Sequence, residues 1–347
     1  MRYLLTGGSP EEEHVLKTHP EARVMFDPFI PVLQARAIMA AARLGVFDAI
    51  GTETRRTADL AQTLSLDPDT LELLVRVLVS AGYISLENGI CSLTELSQGF
   101  LLTDNSRSLS AWVRFNRIHW EIINAMEEVL RTGSGGDIYM YLKDEDDWSI
   151  MHRAMLETAL PIAGVVAEMM PVSHNSNMLL DIGGSHGLYG AMIARRHPPM
   201  RSVVLELPES VESARALAKE EGIDDVVTHR VGDVTTDDLG RDSYDVIFLG
   251  NMVHHFSTDE NRNLLGRIRD ALTRGGTAAI WDFRRPENDR EPDCIGDGFA
   301  LLFRLSSSSR LHGEDEMTAW MRDAGFLDVQ VHPGPSPSHM LITGRKL

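Results

Sequence analysis

From residue 178 the chain alternates short apolar runs with amphipathic stretches, an order that few folds accommodate. The runs are 178-MLLDIG-183, 202-SVVLEL-207, 226-VVTHRVG-232, 244-YDVIFLG-250, 277-TAAIWDF-283, 328-DVQVHP-333 and 338-SHMLITGRK-346. Segments of helical character separate most of them, including 187–197, 209–222 and 260–276. Such alternation predicts a doubly wound, mostly parallel, seven-stranded sheet of Rossmann-like α/β class, with helices on both faces. Only the short Gly/Pro loop 333-PGPSPS-338 joins the last two runs, so they should pair antiparallel at one side of the sheet.

The residues before 178 read differently. Residues 1–24 are polar and lack periodicity, which predicts a loose arm. Residues 25–105 read as a helical domain of winged-helix order. Apolar positions recur at helical spacing over 29–50, with a break at Gly45, and again over 57–84. Thr57 and Asp67 suit N-caps, Pro68 suits a first helical turn, and Gly82 suits a helix end. The segment 83-YISLENGICSLT-94 then alternates around Asn88-Gly89, a hairpin signal. Residues 106–172 read as connecting helices, over 109–132 and 147–170, separated by the loop 133-GSGGD-137. Residues 173–347 form the α/β domain.

Winged helices often bind DNA, but the second helix, LELLVRVLVSAGY, has one arginine among large apolar residues. Reading a duplex needs basic and polar side chains. The net charge of -18 also opposes a phosphate backbone, so nucleic acid is an unexpected partner. An N-terminal domain this apolar is expected to bury itself against a second copy, giving a homodimer. Two cysteines, Cys91 and Cys294, lack metal-ligand spacing and exclude a disulfide scaffold. The N-terminus has no charged-then-apolar signal pattern and no apolar run approaches about 20 residues, so no membrane partner and a cytoplasmic location are expected.

The turn after the first strand is Asp181-Ile182-Gly183-Gly184-Ser185-His186-Gly187. A dinucleotide fingerprint would place its first glycine at Ile182, and no G-K-[ST] follows, which argues against NAD, FAD and a P-loop. A glycine turn beside a carboxylate suits a ligand with an ammonium and no pyrophosphate. Glu206 ends the second strand where a ribose is met in this topology. Asp233 follows the third strand, where an adenine amino group could be read. Amino-acid tail, ribose and adenine together describe S-adenosylmethionine.

The runs D-I-G-G-S-H-G, E-L-P, G-D, N-M-V-H-H-F and R-D-A-L-T-R-G-G resemble the S-adenosylmethionine-dependent O-methyltransferases of the caffeate type. The resemblance extends from about residue 25 to 347 and includes A-G-F at 324–326. It implies the class I methyltransferase fold, an N-terminal dimerisation domain, and the cofactor S-adenosylmethionine. It also implies methyl transfer to a hydroxyl of an aromatic or polyketide-like secondary metabolite. C- or N-methylation, or a non-methyl rearrangement, remains open on the same scaffold. The cofactor set is then Asp181, Gly183, Gly184, Gly187, Glu206, Leu207, Gly232, Asp233, Val234, Gly250 and Asn251. Where the family has Asp before Leu-Pro, this chain has Glu206.

His254 falls on the base of the family's L-H-D-W motif, with His255 on its Asp and Phe256 on its Trp; an ungapped count from Asp259-Glu260 favours His255 instead. Asp282 falls on the carboxylate that orients the base. The second family acid maps to Arg310, a departure that could serve to pair a substrate carboxylate. His119, Trp120, His152, Met155 and Phe303 are further candidates to line the acceptor pocket, although most Met, Trp and His on these helices should pack in the core. His255, His312 and Asp282 could in principle hold a metal, but adjacent histidines rarely point the same way, so none is expected.

Overall fold

The computed structural model describes residues 6–286, 291–292, 294–307, 309–335 and 338–347, in two units, Met1–Arg117 and Ile118–Leu347. Residues 1–5 of the expected arm and 336–337 of the expected connecting loop lie outside the described residues.

The first unit carries α1 (Pro10–Thr18), α2 (Glu21–Phe26), α3 (Ile30–Arg43), α4 (Val46–Ile50), β1 (Thr54–Arg56), α5 (Thr57–Leu64), α6 (Pro68–Ser80), β2 (Ile84–Glu87), β3 (Ile90–Leu93) and α7 (Glu95–Phe100). Helix α8 (Ser110–Ile123) runs across the division between the units. The loose arm is therefore corrected: residues 10–26 hold two short helices. Ser9 caps α1 through the Glu12 N–H, Pro10 opens it, and three acids fill its first turn. Although no apolar run near 20 residues was expected, the 23-residue segment Glu21–Arg43, which takes in α2, the turn at 27–29 and α3, is long and apolar enough by length and composition to cross a bilayer.

Helices α5 and α6 followed by the β2–β3 hairpin have winged-helix order. The hairpin turns at Asn88 and Gly89, both at positive φ, as a two-residue turn between twisted strands requires. Asp67 caps α6 by accepting from the Thr70 N–H. Thr57 is instead the first residue of α5, after the extended Arg56. Leu71, Val75 and Leu78 of α6 pack with Phe47, Ile50 and Ile84 in the core of this unit. Arg76, the one arginine of α6, is held by Glu72.

The second unit continues with α9 (Met126–Thr132), α10 (Glu145–Ala159), α11 (Ala163–Met169), β4 (Met178–Ile182), α12 (Leu188–Arg196), β5 (Arg201–Glu206), α13 (Val211–Glu220), β6 (Val227–Val231), β7 (Tyr244–Gly250), α14 (Thr258–Ala271), β8 (Leu272–Phe283), α15 (Cys294–Ser306), α16 (Glu314–Asp323), β9 (Leu327–Pro333) and β10 (His339–Arg345). Each of the two connecting helices expected before 172 is broken in two. Pro161 ends the second, because it lacks an N–H and crowds the preceding turn. The first stops at Asn124, a residue that competes for backbone hydrogen bonds.

The seven strands run in the order β6-β5-β4-β7-β8-β10-β9. All neighbouring pairs are parallel except those made by β10, which is antiparallel to both β8 and β9. The order reverses between β4 and β7, the switch point where α/β sheets open a crevice. Alternation along the strands sorts the core. Leu180, Ile182, Ile247, Leu249 and Ile280 face Met317, Trp320 and Phe326. Leu179, Val246, Phe248 and Trp281 face Leu188, Ile193 and Val166 on the other side. Two positions beyond Leu179 and Ile280, the same alternation carries Asp181 and Asp282 to the strand ends on opposite faces.

Candidate active site

Four carboxyl-terminal strand ends around the switch point carry the predicted site residues: Asp181 on β4, Glu206 on β5, Gly250 at the end of β7 with Asn251 next, and Asp282 on β8.

The turn after β4 is built for close approach. Gly183 and Gly187 have φ of +63° and +78°, values that favour glycine. A Cβ on Gly184 would run into the Asp181 carboxylate, and one on Gly183 into Met252. Asp181 is 1% exposed and accepts from the Gly190 N–H of α12 through Oδ2. Among the described residues its buried Oδ1 has no partner, nor has the Oδ1 of Asn251, which sits at φ +55°. Burial pushes the Asp181 carboxyl up to about 7, and the nearby Glu206 adds to the rise. An ammonium group fits these bare acceptors.

Glu206 is also buried and receives three donors: Ser185 N–H at 3.0 Å and, on the other oxygen, Leu207 N–H at 3.1 Å and Ser210 Oγ at 2.7 Å. Gly232 N–H donates to the Glu206 carbonyl. Asp233 turns its own loop, accepting from Thr235 N–H and Oγ1 at Oδ1. Val234 does not face the crevice; it is a core residue beside Leu205 and Leu239.

The second cluster lies after β7 and β8. His254, 2% exposed, sits in a 3-10 turn over Val253–His255 and makes a 2.7 Å hydrogen bond from Nδ1 to Asp282 Oδ1. Asp282 also accepts from Val253 N–H at 3.0 Å and Phe283 N–H at 2.7 Å. Burial pushes its carboxyl up, but His254 and the Phe283 N–H together hold it below the usual carboxylate range. A carboxylate can only accept here, so Nδ1 carries the proton and Nε2 is the basic nitrogen. His255 makes no such pair. Burial and the adjacent His254 drive it down to about 3, so it stays neutral.

Aromatic rings enclose this dyad. Phe303 lies 4.1 Å from the His254 ring and Phe283 6.3 Å away, with Phe299 5.4 Å beyond Phe283. Tyr139 lies 5.8 Å from His255 and stacks on Trp148. Phe283, Phe299, Tyr139 and Trp148 were not anticipated. Trp148 lies one helical turn before His152 and could have been found from that spacing. Tyr139 follows a glycine-rich loop with no periodicity.

The remaining candidates scatter. His119 and Trp120 are adjacent on α8 and so cannot share one direction; burial drives His119 down to about 4. The Met155 backbone lies beside His186 at the cofactor turn and opposes the fall that burial imposes on that histidine's pKa. His152 is 0% exposed and uses both ring nitrogens on that turn's surroundings, so it does not face an acceptor. Arg310 is already engaged: both of its terminal nitrogens bond Glu316, which also pairs Arg285. A substrate carboxylate would have to displace that acid. Among the described residues, no group of three or more His, Cys, Asp or Glu side chains could hold a metal.

Comparisons with known proteins agree with this architecture. Residues 107–327 match the family model of the O-methyltransferase domain, and 32–103 that of the O-methyltransferase dimerisation domain. The chain is 32% identical over 168 residues to the tetracenomycin polyketide synthesis 8-O-methyl transferase TcmO of Streptomyces glaucescens, a match covering 48% of each chain. It is 25% identical over 315 residues to O-demethylpuromycin-O-methyltransferase of Streptomyces alboniger, covering 87% of this chain and 83% of that one. Human N-acetylserotonin methyltransferase, solved in complex with SAM, has the same fold, with a TM-score of 0.81 at 20% identity over 98% of this chain and 99% of that one.

Proposed function

This chain belongs to the S-adenosylmethionine-dependent O-methyltransferase family, and we propose that it methylates a phenolic or enolic hydroxyl of an aromatic, polyketide-like secondary metabolite, with His254 as general base. The observation that carries the reading is the buried His254–Asp282 pair within an aromatic enclosure, next to a glycine turn with bare acceptors.

Asp181 and Asn251 would take the ammonium end of the cofactor, Glu206 the ribose hydroxyls, and Asp233 the adenine side. When bound, S-adenosylmethionine supplies a methyl group already activated on sulfonium. What is left to the protein is alignment, exclusion of water and removal of one proton. Phe283, Phe299, Phe303 and Tyr139 give flat apolar walls that suit a fused aromatic acceptor. His254 takes the hydroxyl proton at Nε2, and Asp282 stabilises the imidazolium that forms while holding the ring in one tautomer. The match to tetracenomycin and puromycin methyltransferases supports an acceptor of this kind.

Two copies pair through the first unit. Its dimerisation-domain match and the exposed Val24, Phe29, Val32 and Leu33 on α2, α3 and the link between them support this. Cys91 and Cys294 are both free thiols, in keeping with a reducing cytoplasm.

The test is incubation with methyl-labelled cofactor and a panel of phenolic, amine and indole acceptors, read by mass spectrometry. Label on a phenolic oxygen, lost in His254→Ala, is expected. Label only on nitrogen or carbon would overturn the hydroxyl assignment.

A further inference from the structure

His152 lies on α10 with no exposed surface, and both ring nitrogens are committed to the surroundings of the cofactor turn. Nε2 is 3.2 Å from the Ser210 carbonyl, which can only accept, so Nε2 carries the proton. Nδ1 is then the acceptor for the Ser185 hydroxyl, 2.5 Å away. Burial drives this histidine down to about 4, which keeps that single neutral tautomer.

Both partners of His152 also touch Glu206. Ser185 N–H donates to Glu206 Oε2 and Ser210 Oγ to Oε1. Ser185 itself stands at φ +53°, a conformation that a serine holds only when its surroundings impose it. The imposing contacts are present: the hydroxyl goes to His152, the N–H to Glu206, and the carbonyl accepts from His229 Nε2 at 2.9 Å.

We propose that His152 is a positioning residue that clamps α10 to the cofactor turn and so fixes Glu206 in its ligand-binding pose through Ser185 and Ser210. The inference rests on the assignment of Glu206 to the ribose hydroxyls. Helix α10 also carries Trp148, whose ring stacks on Tyr139 and through it reaches His255. The clamp therefore joins the cofactor side of the crevice to the aromatic wall on the acceptor side.

Calorimetry with S-adenosylhomocysteine tests it, on Ser185→Ala, His152→Ala, the double variant, His152→Asn and Glu206→Ala. Ser185→Ala and His152→Ala should each raise Kd roughly 3- to 10-fold, the scale of one neutral hydrogen bond. The double should be no weaker than the weaker single, because both remove the same link. His152→Asn, whose amide oxygen can accept from Ser185, should restore most of the affinity. The basic limb of the pH–rate profile should not move. Ser185→Ala deletes only a hydroxyl, so it decides the matter even where His152→Ala folds poorly. Binding of Ser185→Ala within 1.5-fold of the parent, or losses that multiply in the double variant, would overturn the clamp. Unchanged binding by Glu206→Ala would instead remove the ribose assignment beneath it.

Discussion

Nδ1 of His254 stands 2.7 Å from Oδ1 of Asp282, and the two side chains are 3% and 1% exposed. Nearly thirty residues separate them in sequence, yet β7 and β8 are parallel neighbours, so their ends deliver both to one point. The carboxylate takes three donors, which leaves the imidazole no freedom to change tautomer.

His254→Ala should lower kcat by ~10²–10⁴, the usual span of general-base catalysis, while the Kd for S-adenosylhomocysteine stays within twofold. Asp282→Asn should cost less, since it only orients and polarises the ring. His255→Ala is the control on register. Steady-state rates in which His255→Ala loses more than His254→Ala would move the base by one residue.

The packing around α12 predicts opposite effects for two helical glycines. A Cβ on Gly190 would collide with Ser202 Oγ and crowd Asp181, and neither strand can retreat. Gly190→Ala should destabilise by about 1–3 kcal/mol, as overpacking does. On α14, no atom of the described residues lies within 4 Å of a Cβ on Gly266. There the alanine should be neutral or stabilise by up to about 1 kcal/mol. Thermal unfolding of both variants gives the comparison; equal Tm shifts of the same sign would contradict it.

The apolar surface of the first unit predicts a dimer. Val24 is 79% exposed and Phe29 58%, and with the exposed Val32 and Leu33 they form the kind of apolar surface that a partner covers. The interface should exceed the ~1,200–2,000 Å² of standard size. Phe29→Glu combined with Leu33→Glu should shift light scattering towards the monomer mass. A parent protein already monomeric at micromolar concentration would refute the assignment.

How much of this could be read in the chain depended on how local the signal was. Each sheet strand shows as a run of apolar residues, and the glycine turn as a spacing, because backbone period and steric limits act over a few residues. The pairing of Asp282 with His254 followed from resemblance, and the parallel strands supply its physical basis. The pairing of Arg310 with Glu316 could not be read in the chain, because Glu316 lies across a turn in α16 and an ion pair leaves no mark in spacing. His152 was placed on the acceptor side because helical periodicity says which residues share a face and not what that face meets. Val234 follows a glycine and an aspartate of the cofactor motif, yet it points into the core. The arm was missed since a nine-residue helix capped by Ser9 carries little apolar periodicity.

Asp181 supports a prediction about protons. Burial first, then Glu206, pushes its carboxyl up to about 7, against an ordinary value near 3.9. In the free protein the group is therefore largely protonated below neutrality. A raised folded value means that the protonated form contributes stability fully below about pH 4, and that this contribution is lost as pH rises through about 7. The free protein should lose stability over that window, and Asp181→Asn should flatten the slope. Ligand binding should run the other way. An ammonium beside the bare Oδ1 favours the charged carboxylate and pulls its pKa down, so binding releases a proton. Affinity for S-adenosylhomocysteine should rise with pH up to about 7 and level off above it, by as much as roughly tenfold per unit. Calorimetry at pH 6 in two buffers of different ionisation enthalpy reads the proton directly. Between them the parent should show a heat difference that Asp181→Asn lacks. Proton uptake on binding, or the same difference in both proteins, would remove Asp181 from the ammonium.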